Sequence, residues 1–197
     1  MGIKTYNIHE IFYSLQGEGA NAGLPVVFVR FSGCNLHCDF CDTERVKGVR
    51  MTKEQILKVA QEQSDNCKRV VFTGGEPLLQ LDLDLVAWFL THCYWIAIET
   101  NGTLAPPAGI HYVTLSPKKH STIHSFWSSV VIDELRIPLA ANELPYIDLK
   151  NVKQKFISPV FDGQLLVREN LDWAINYCLQ HPDWKLSVQQ HKLFNIK

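Results

Sequence analysis

An excess of charge of one sign is missing from this chain of 197 residues, whose 19 Lys and Arg nearly balance 20 Asp and Glu to give a formal net charge of -1. Without a basic field or a polybasic stretch we expect neither a nucleic-acid partner nor a membrane-surface partner. Long apolar runs are also missing, since the most apolar stretch, residues 81–90, carries Asp82 and Asp84 and is too short to cross a bilayer. The first residues lack the apolar core of a secretory signal, so we expect a cytoplasmic protein.

Internal repeats, low-complexity tracts and a linker rich in Pro or Gly are absent as well. A hydrophobic content of 46% with 20% charged residues is typical of a folded globular chain, which argues against disorder. A chain of this length suits one sizeable core. We therefore predict a single domain over residues 1–197.

Cysteine is scarce away from one short loop. Three of the six cysteines are scattered among apolar neighbours: Cys67, Cys93 and Cys178. We interpret these three as small core residues. Because disulfides are rare in the cytosol, the clustering of the other three indicates metal binding or redox chemistry.

The clustered cysteines, Cys34, Cys38 and Cys41, have the spacing C-x3-C-x2-C. Their thiolates are soft ligands that suit zinc or iron–sulfur centres. Structural zinc needs four ligands, so His37 or a distant residue would have to complete a zinc site. An iron–sulfur cluster held by three thiolates instead keeps one iron open to a further ligand, and we favour this interpretation.

Strand-like runs recur along the chain, at residues 26–31, 70–73, 95–99, 111–115, 130–136, 155–158 and 186–189. Several are continuous apolar runs, which are typical of parallel strands buried on both faces. Helical patterns lie between some of them, at 82–92, at 169–180 and after a capping box of Thr52 and Gln55. This alternation predicts an α/β fold with a mainly parallel sheet.

Polar or glycine-rich motifs follow four of the predicted strands: the cysteine loop, residues 74–77, residues 100–102 and residues 116–118. Ligands of open parallel sheets bind beyond the carboxyl ends of the strands, so we expect these motifs to converge. The two glycines of residues 74–77 would let the backbone approach a ligand and would free N–H groups to bind it.

The cysteine spacing followed by Gly74-Gly-Glu-Pro77 resembles the signature of the radical S-adenosylmethionine (radical SAM) superfamily. The resemblance implies a partial, trimmed TIM-like (β/α) barrel and a [4Fe–4S] cluster whose open iron binds S-adenosylmethionine. It also implies one-electron cleavage of that cofactor to a 5′-deoxyadenosyl radical, which abstracts hydrogen from a substrate. The positions that match cofactor contacts are Phe40, Cys41, Asp42, Gly75, Ser116, Pro117, Lys118 and Ser158.

A longer resemblance covers nearly the whole chain. The run Leu15-Gln-Gly-Glu-Gly19, the arginine strand and cysteine loop that follow, and residues 99–102, 116–118 and 186–192 are similar to the 7-carboxy-7-deazaguanine synthase family. This resemblance implies ring contraction of 6-carboxy-5,6,7,8-tetrahydropterin to 7-carboxy-7-deazaguanine with release of ammonia, in queuosine and deazapurine biosynthesis. It further implies that Mg2+ assists, that a flavodoxin- or ferredoxin-type protein is the reductant, and that the protein is a homodimer.

The family resemblance also assigns roles to single residues. It places substrate contacts at Leu15, Gln16, Gly17, Arg30 and Thr73, and Mg2+ binding at Thr43. A hydroxyl oxygen is a hard ligand that suits Mg2+, and an amide side chain can read the donors and acceptors of a pterin edge.

Charged residues in apolar strands support the assignment of Arg30 and indicate a further candidate, Glu99. Arg30 lies in an otherwise apolar run, and its planar guanidinium would pair with the substrate carboxylate. Glu99 ends an apolar strand, a costly place for a charge without a function. Glu18 and Glu99 are therefore candidate catalytic residues for proton transfer.

The chain departs from the family pattern at two places. It has Ser158-Pro159 where the family often carries Gln-Pro in the late strand. Residues 191–197 also differ from the short tail ending in proline with which the family commonly contacts substrate. We therefore do not assign that substrate contact to these residues.

Two other functions are consistent with part of the pattern. A glycyl-radical activating enzyme would share the cysteine spacing and the cofactor but would act on a protein, and Leu15-Gln-Gly-Glu-Gly19 and Thr43 argue against it. A non-catalytic zinc-binding module would leave Gly74-Gly-Glu-Pro77 unexplained. Metal analysis separates the two classes, because a zinc module would contain no sulfide.

Overall fold

The structure is a computed structural model that describes residues 2–38, 47–64, 66–147 and 149–197. Within these residues the strands of the sheet are β1 (Tyr6–Leu15), β2 (Pro25–Phe31), β3 (Val49–Met51), β4 (Arg69–Gly74), β5 (Trp95–Thr100), β6 (Tyr112–Leu115), β7 (Ile132–Leu139), β8 (Val152–Pro159) and β9 (Trp184–Leu186). The α-helices are α1 (Lys53–Gln63), α2 (Leu83–Thr91), α3 (Arg168–Gln180) and α4 (Gln190–Phe194). None of these helices is long and apolar enough to cross a membrane.

The strands form one sheet in the order β3-β1-β2-β4-β5-β6-β7-β8-β9. From β2 onward every neighbouring pair is parallel, and β1 runs antiparallel to both β2 and β3. Parallel strands that follow one another in chain order are the winding of a (β/α) barrel, here left open. The predicted α/β fold, a partial barrel with a mainly parallel sheet, is therefore confirmed.

The barrel is trimmed where its helices are missing. Among the described residues, no α-helix lies between β5 and β6, between β6 and β7, or between β7 and β8. A short 3-10 helix, Ser125–Ser128, covers part of this region instead and buries Trp127. The Trp127 indole N–H donates to the carbonyl oxygen of Leu104 at 3.1 Å, so its one polar atom is satisfied.

The outer face of the sheet carries the main core. Alternate residues of β2, β4 and β5 point to this face and are fully buried: Val27, Val29, Phe31, Val70, Phe72, Ile96 and Ile98. Helices α1 and α2 cover them with Ile56, Leu57, Leu85 and Phe89. The rings of Phe72 and Phe89 meet edge to face with centroids 5.2 Å apart.

The inner face changes from apolar to polar along the strands. Toward the amino ends of the strands, a second cluster is formed by Phe12, Val26, Phe28, Val71 and Ala97. Because side chains on one face recur every second residue, the next inner positions are Arg30 on β2, Thr73 on β4 and Glu99 on β5. These polar side chains therefore rest on an apolar base and face the carboxyl edge of the sheet.

The structure corrects two predictions about the strands, one near each end of the chain. Residues 6–15 had no strand assigned to them, yet they form the ten-residue strand β1. The final strand, predicted at 186–189, ends at Leu186. Beyond Leu186 the Ser187 N–H still donates to the Ile157 carbonyl of β8 at 2.8 Å. The segment then turns to the loop after β1, where Ser187 Oγ accepts the Gly19 N–H at 2.9 Å and the Gln190 N–H donates to the Gly17 carbonyl at 2.9 Å.

The three longer helices lie where they were predicted. The Thr52 N–H donates to Gln55 Oε1 at 2.8 Å, and the Gln55 N–H donates to Thr52 Oγ1 at 3.3 Å, so the capping box is formed in both directions. Helix α2 begins after Asp82, whose carboxylate accepts the Leu85 N–H at 3.0 Å. Helix α3 begins one residue earlier than predicted.

Loss of the capping box should destabilise the protein measurably. Thr52→Ala removes the acceptor for an otherwise unpaired helix N–H, and we expect the free energy of unfolding to fall by about 1 kcal/mol. Chemical denaturation followed by circular dichroism would measure this. Lys58→Ala, which removes an exposed ion pair with Glu62 on the same helix, is the control and should change stability by less than about 0.5 kcal/mol.

Candidate active site

A cavity of about 260 Å³ opens at the carboxyl ends of the parallel strands. All four predicted motifs contribute to its wall, through Cys34, Cys38, Gly74, Gly75, Thr100, Asn101, Ser116 and Lys118. The remaining wall includes Leu15, Gln16, Gly17, Glu18, Arg30, Thr73, Glu99 and Ser158. The structure thus brings most of the sequence-predicted site residues to one cavity.

Some of the predicted residues lie elsewhere. Pro117 is buried but does not line the cavity, and its carbonyl oxygen accepts the Tyr146 hydroxyl at 2.8 Å. The residues Phe40, Cys41, Asp42 and Thr43 lie outside the described part of the chain.

The glycine segment after β4 packs directly on the cysteine loop. The Gly75 N–H donates to the Phe31 carbonyl at 3.1 Å, and the Glu76 N–H donates to the Gly33 carbonyl at 2.9 Å. A Cβ on Gly75 would overlap the carbonyl oxygen of Gly33, so only glycine fits here. These two N–H groups serve the cysteine loop, and the expectation that the segment keeps its N–H groups for a ligand is wrong for Gly75.

Glu76 is a fully buried carboxylate that the sequence analysis did not single out. It accepts the Leu78 N–H at 3.0 Å, the Thr100 hydroxyl at 2.7 Å and the Asn101 N–H at 2.7 Å. Three donors on one carboxylate join the end of β4 to the end of β5. Glu76 therefore fixes the position of the loop that follows β5.

The cysteine loop is also held from the β5 side. The Asn101 amide donates to Asn35 Oδ1 at 3.0 Å, and the Asn35 amide donates to Thr103 Oγ1 at 2.8 Å. Asn35 lies between two predicted cluster ligands, so this link orients the loop that carries them. No sequence signal singled out Asn35, because its partners are distant along the chain.

Cys34 and Cys38 line the cavity in a part of its wall that we call the thiol end, and neither forms a disulfide within the described residues. The described residues hold no group of three or more metal-binding side chains, and Cys41 lies outside the described part of the chain. Two soft thiol donors at a cavity wall, with the backbone of Gly75 close behind Cys34, fit an iron–sulfur cluster better than a hard cation.

Next to the thiols, the loop after β6 supplies a cation. Lys118 Nζ donates to Ser116 Oγ at 2.8 Å. Burial lowers the pKa of Lys118, and the nearby Arg136 guanidinium lowers it further. Lys118 lines the same cavity, and Cys38, Glu18 and Glu99 are close enough to act on its charge.

Glu99, on β5, has a hydrogen-bonded carboxylate in the part of the cavity wall that we call the carboxylate end. Its Oε1 accepts from Arg136 Nη2 at 2.7 Å and from Gln16 Nε2 at 3.1 Å, and its Oε2 accepts from Thr73 Oγ1 at 3.0 Å. Burial raises the pKa of Glu99, but the Arg136 guanidinium and these hydrogen bonds outweigh burial and hold the pKa below its ordinary value. Glu99 is therefore ionised at neutral pH.

Arg136 is the central residue that the sequence analysis missed. It is 5% exposed, and besides Glu99 it approaches Glu18 Oε2 at 3.5 Å and Glu134 Oε1 at 3.6 Å. Burial opposes its charge, but the three carboxylates raise the pKa of Arg136. The signal was present, because Glu134 and Arg136 interrupt an apolar strand as Glu99 does.

The run Leu15-Gln-Gly-Glu-Gly19 packs against the charged cluster that Arg136 forms with its three carboxylates. The Glu18 N–H donates to Gln16 Oε1 at 3.2 Å, and Ser158 Oγ donates to Glu18 Oε1 at 2.9 Å. Ser158, expected to contact the cofactor, is thus bound to Glu18.

Both glycines of this run are needed for packing. A Cβ on Gly17 would overlap the ring of His191, and a Cβ on Gly19 would overlap the Glu134 carboxylate. Gly19 also has φ of +69°, in the left-handed region that favours glycine.

Arg30 already has partners on the neighbouring strand. Its Nη1 lies 3.4 Å from Glu10 Oε1, and its guanidinium lies 5.6 Å from the centre of the Phe12 ring. Lys197 Nζ pairs with the other oxygen of Glu10 at 2.7 Å. Arg30 is therefore not an unpaired strand arginine, although it still lines the cavity.

The contact between Gly75 and Gly33 should be essential for metal loading. In Gly75→Ala the new methyl group pushes the Gly33 carbonyl and the adjacent Cys34 away, and we expect iron and sulfide per chain to fall to less than about half after anaerobic reconstitution. Gly2→Ala, whose methyl group meets nothing within 4 Å, is the control and should load normally. Full loading of Gly75→Ala would contradict the close packing.

Comparison with known proteins identifies the family of this chain. Residues 28–114 match the family model of the radical SAM superfamily. The chain is 37% identical to a 7-carboxy-7-deazaguanine synthase of Bacteroides thetaiotaomicron over 190 residues, which are 96% of this chain and 98% of that protein. It is 38% identical to the 7-carboxy-7-deazaguanine synthase of Haemophilus influenzae over 203 residues, which cover 98% of this chain and 95% of that protein.

Solved structures agree with these relatives. The crystal structure of QueE from Escherichia coli matches with a TM-score of 0.77 at 25% identity and covers 95% of both chains. The Streptococcus suis SuiB structure matches with a TM-score of 0.54 at 15% identity, over 82% of this chain and 48% of that one, and shares the fold alone.

The relatives decide between the functions that the sequence left open. Their common name supports the synthase over a glycyl-radical activating enzyme and over a non-catalytic zinc module. Membership of the superfamily implies a [4Fe–4S] cluster and S-adenosylmethionine as cofactors, which agrees with the two thiols at the cavity wall. The chain belongs to the 7-carboxy-7-deazaguanine synthase family of radical SAM enzymes.

Proposed function

We propose that this chain converts 6-carboxy-5,6,7,8-tetrahydropterin into 7-carboxy-7-deazaguanine, with release of ammonia, inside the cavity at the carboxyl ends of the strands. One observation carries the proposal: the same cavity is lined by the thiols of its thiol end and by the ionised, hydrogen-bonded carboxylate of its carboxylate end. The first end suits a cluster with its cofactor, and the second suits a flat heterocycle with N–H donors.

At the thiol end, we assign Cys34, Cys38 and Cys41 as the cluster ligands. When bound, a [4Fe–4S] cluster there would supply the electron that cleaves S-adenosylmethionine and starts the radical chemistry. Of the predicted cofactor contacts we keep Phe40, Cys41, Asp42, Gly75, Ser116 and Lys118. Pro117 is left out because it does not line the cavity, and Ser158 because its hydroxyl donates to Glu18. Lys118 brings a positive charge to this end, which suits the carboxylate of the cofactor.

At the carboxylate end, Glu99 is the proposed anchor of the substrate ring. The amino-pyrimidinone edge of a pterin offers N–H donors, and an ionised carboxylate accepts two of them. Gln16 and Thr73 donate to Glu99 and fix its plane, while Leu15 and Gly17 close the same side of the cavity. The low pKa of Glu99 suits this binding role and makes it a poor proton donor.

Two further side chains complete the proposed substrate contacts. Arg30 would pair with the substrate carboxylate. Its ion pair with Glu10 is made by Nη1 at 3.4 Å, so the other N–H groups of the guanidinium remain for a second, bidentate partner. Glu18 is the better candidate for proton transfer, because it lines the cavity next to Glu99 and is held by a single neutral hydroxyl, that of Ser158, as well as by Arg136.

Four expectations stay predictions. Thr43 as the Mg2+ ligand lies outside the described residues. Assistance by Mg2+, reduction by a flavodoxin- or ferredoxin-type protein and assembly as a homodimer rest on the family resemblance. Adding Mg2+ to purified enzyme would test whether Mg2+ assists the reaction. Measuring the mass in solution would test whether the protein is a homodimer.

The reaction itself can be assayed directly. Reconstituted enzyme, incubated anaerobically with the carboxytetrahydropterin, S-adenosylmethionine, Mg2+ and a chemical reductant, should release ammonia and form the deazaguanine product seen by mass spectrometry. The Cys34→Ala, Cys38→Ala, Cys41→Ala triple variant should lose cluster absorbance and product together.

The matched control is Cys93→Ala with Cys178→Ala, since neither thiol lines the cavity. This double variant should keep cluster and activity. A wild-type enzyme that carries the cluster and cleaves S-adenosylmethionine yet forms no deazaguanine would refute the substrate assignment.

A further inference from the structure

The charged cluster under the cavity contains one cation and three carboxylates, and Arg136 lies at its centre. The guanidinium reaches Glu99 at 2.7 Å, Glu18 at 3.5 Å and Glu134 at 3.6 Å. These carboxylates come from β5, from the loop after β1 and from β7 itself. A single buried side chain therefore ties the substrate-facing loop to two strands.

Arg136 lines the cavity but exposes little of its side chain to it. Its side chain is 6% exposed, whereas that of Glu99 is 22% exposed. Its Nη2 is used by Glu99, and its Nη1 is fully buried and makes no hydrogen bond with the described residues. We therefore expect Arg136 to act on a ligand through the carboxylates that it holds.

We propose that Arg136 is a positioning residue, which keeps the Glu99 carboxylate charged and aimed into the cavity to receive the N–H edge of the substrate. The inference rests on the proposed function of the cavity. Glu99 has two oxygens, and the 2.7 Å bond from Arg136 together with the bonds from Gln16 and Thr73 fixes both. An acceptor that is already oriented loses little entropy when the substrate binds.

The surroundings of Glu99 give Arg136 a second task, which is to offset burial. Burial raises the pKa of Glu99, and the Arg136 guanidinium is the main influence that lowers it. The other charged or titratable groups that line the cavity or contact the cluster come from several elements: Glu18 after β1, Arg30 on β2, Cys34 and Cys38 after β2, Tyr112 on β6, Lys118 after β6, Glu134 on β7, His191 and Lys192 on α4, and Lys197. The Arg136 guanidinium forms a direct ion pair with Glu99, with Nη2 and Oε1 2.7 Å apart.

A purely structural role would look different. Glu134 accepts the Ala20 N–H at 2.9 Å and the Tyr112 hydroxyl at 3.1 Å, so it seats the loop after β1 on the sheet. If Arg136 served only to hold Glu134 and this loop, removing either partner would have the same effect. A positioning role through Glu99 predicts that the two changes differ, above all in their pH dependence.

The test compares Arg136→Gln, Arg136→Lys and Glu134→Gln by measuring KM and kcat for the carboxytetrahydropterin from about pH 6 to 9. Arg136→Gln keeps a donor but removes the charge. We expect KM at pH 7 to rise by about 10- to 100-fold. We also expect kcat/KM to fall as the pH is lowered, at a higher pH than in the wild type, because the hydrogen bonds from Gln16 and Thr73 are then the remaining groups that oppose the effect of burial on the pKa of Glu99.

The companion variants separate charge from geometry. Arg136→Lys keeps the charge, so its pH profile should follow the wild type while its KM rises. Adding Glu99→Gln to Arg136→Gln should abolish the new acid limb, since the titrating group is gone. Glu134→Gln should keep the wild-type profile. Iron content and circular dichroism check that each variant is folded and loaded.

The outcomes are distinct. An unchanged KM and pH profile in Arg136→Gln would overturn the inference, and so would the same acid limb in Glu134→Gln. If Arg136→Gln does not fold, Arg136→Lys decides, because an unchanged KM in that variant would show that the guanidinium geometry is not used. A wild type that never turns over the carboxytetrahydropterin would instead refute the proposed function.

Discussion

The cavity depends on the alternation of side chains along the parallel strands. Each strand must bury its outer residues under helices, as Phe31 and Phe72 are buried, and this fixes which residues face inward. Near the amino ends the inner residues are apolar, as at Phe28 and Val71, and two residues later they become Arg30 and Thr73. A shift of one residue in register would bury these polar side chains under the helices and expose the core.

The two ends of the cavity are built by different means. At the thiol end, backbone contacts and small polar side chains position the cysteine loop, through Gly75 against Gly33 and through Asn101 against Asn35. At the carboxylate end, buried charges position Glu99 and the loop after β1, with Arg136 at the centre of the carboxylates. Close backbone packing tolerates no added methyl group, whereas a charge network responds to pH. Changes at the two ends should therefore have distinguishable effects.

Sequence patterns revealed the parallel sheet and the convergent loops because both depend on local signals, namely apolar runs and the motifs that end them. They missed Glu76, Asn35 and Arg136, whose importance comes from partners far along the chain. Arg136 shows the limit most clearly: a charge inside an apolar strand signals a buried partner, as it did for Glu99, but the pattern does not say which carboxylate it meets. Strand β1 was missed because it lies antiparallel near the edge and is only partly buried.

The central claim is that one cavity holds the cofactor at its thiol end and the pterin at its Glu99 end. An anaerobic crystal structure of the reconstituted enzyme with S-adenosylmethionine and the carboxytetrahydropterin would test it most directly. We predict cluster density on Cys34, Cys38 and Cys41, and the amino-pyrimidinone edge of the pterin within hydrogen-bonding distance of Glu99. A pterin bound away from Glu99, or with its carboxylate in place of its N–H edge there, would contradict the account.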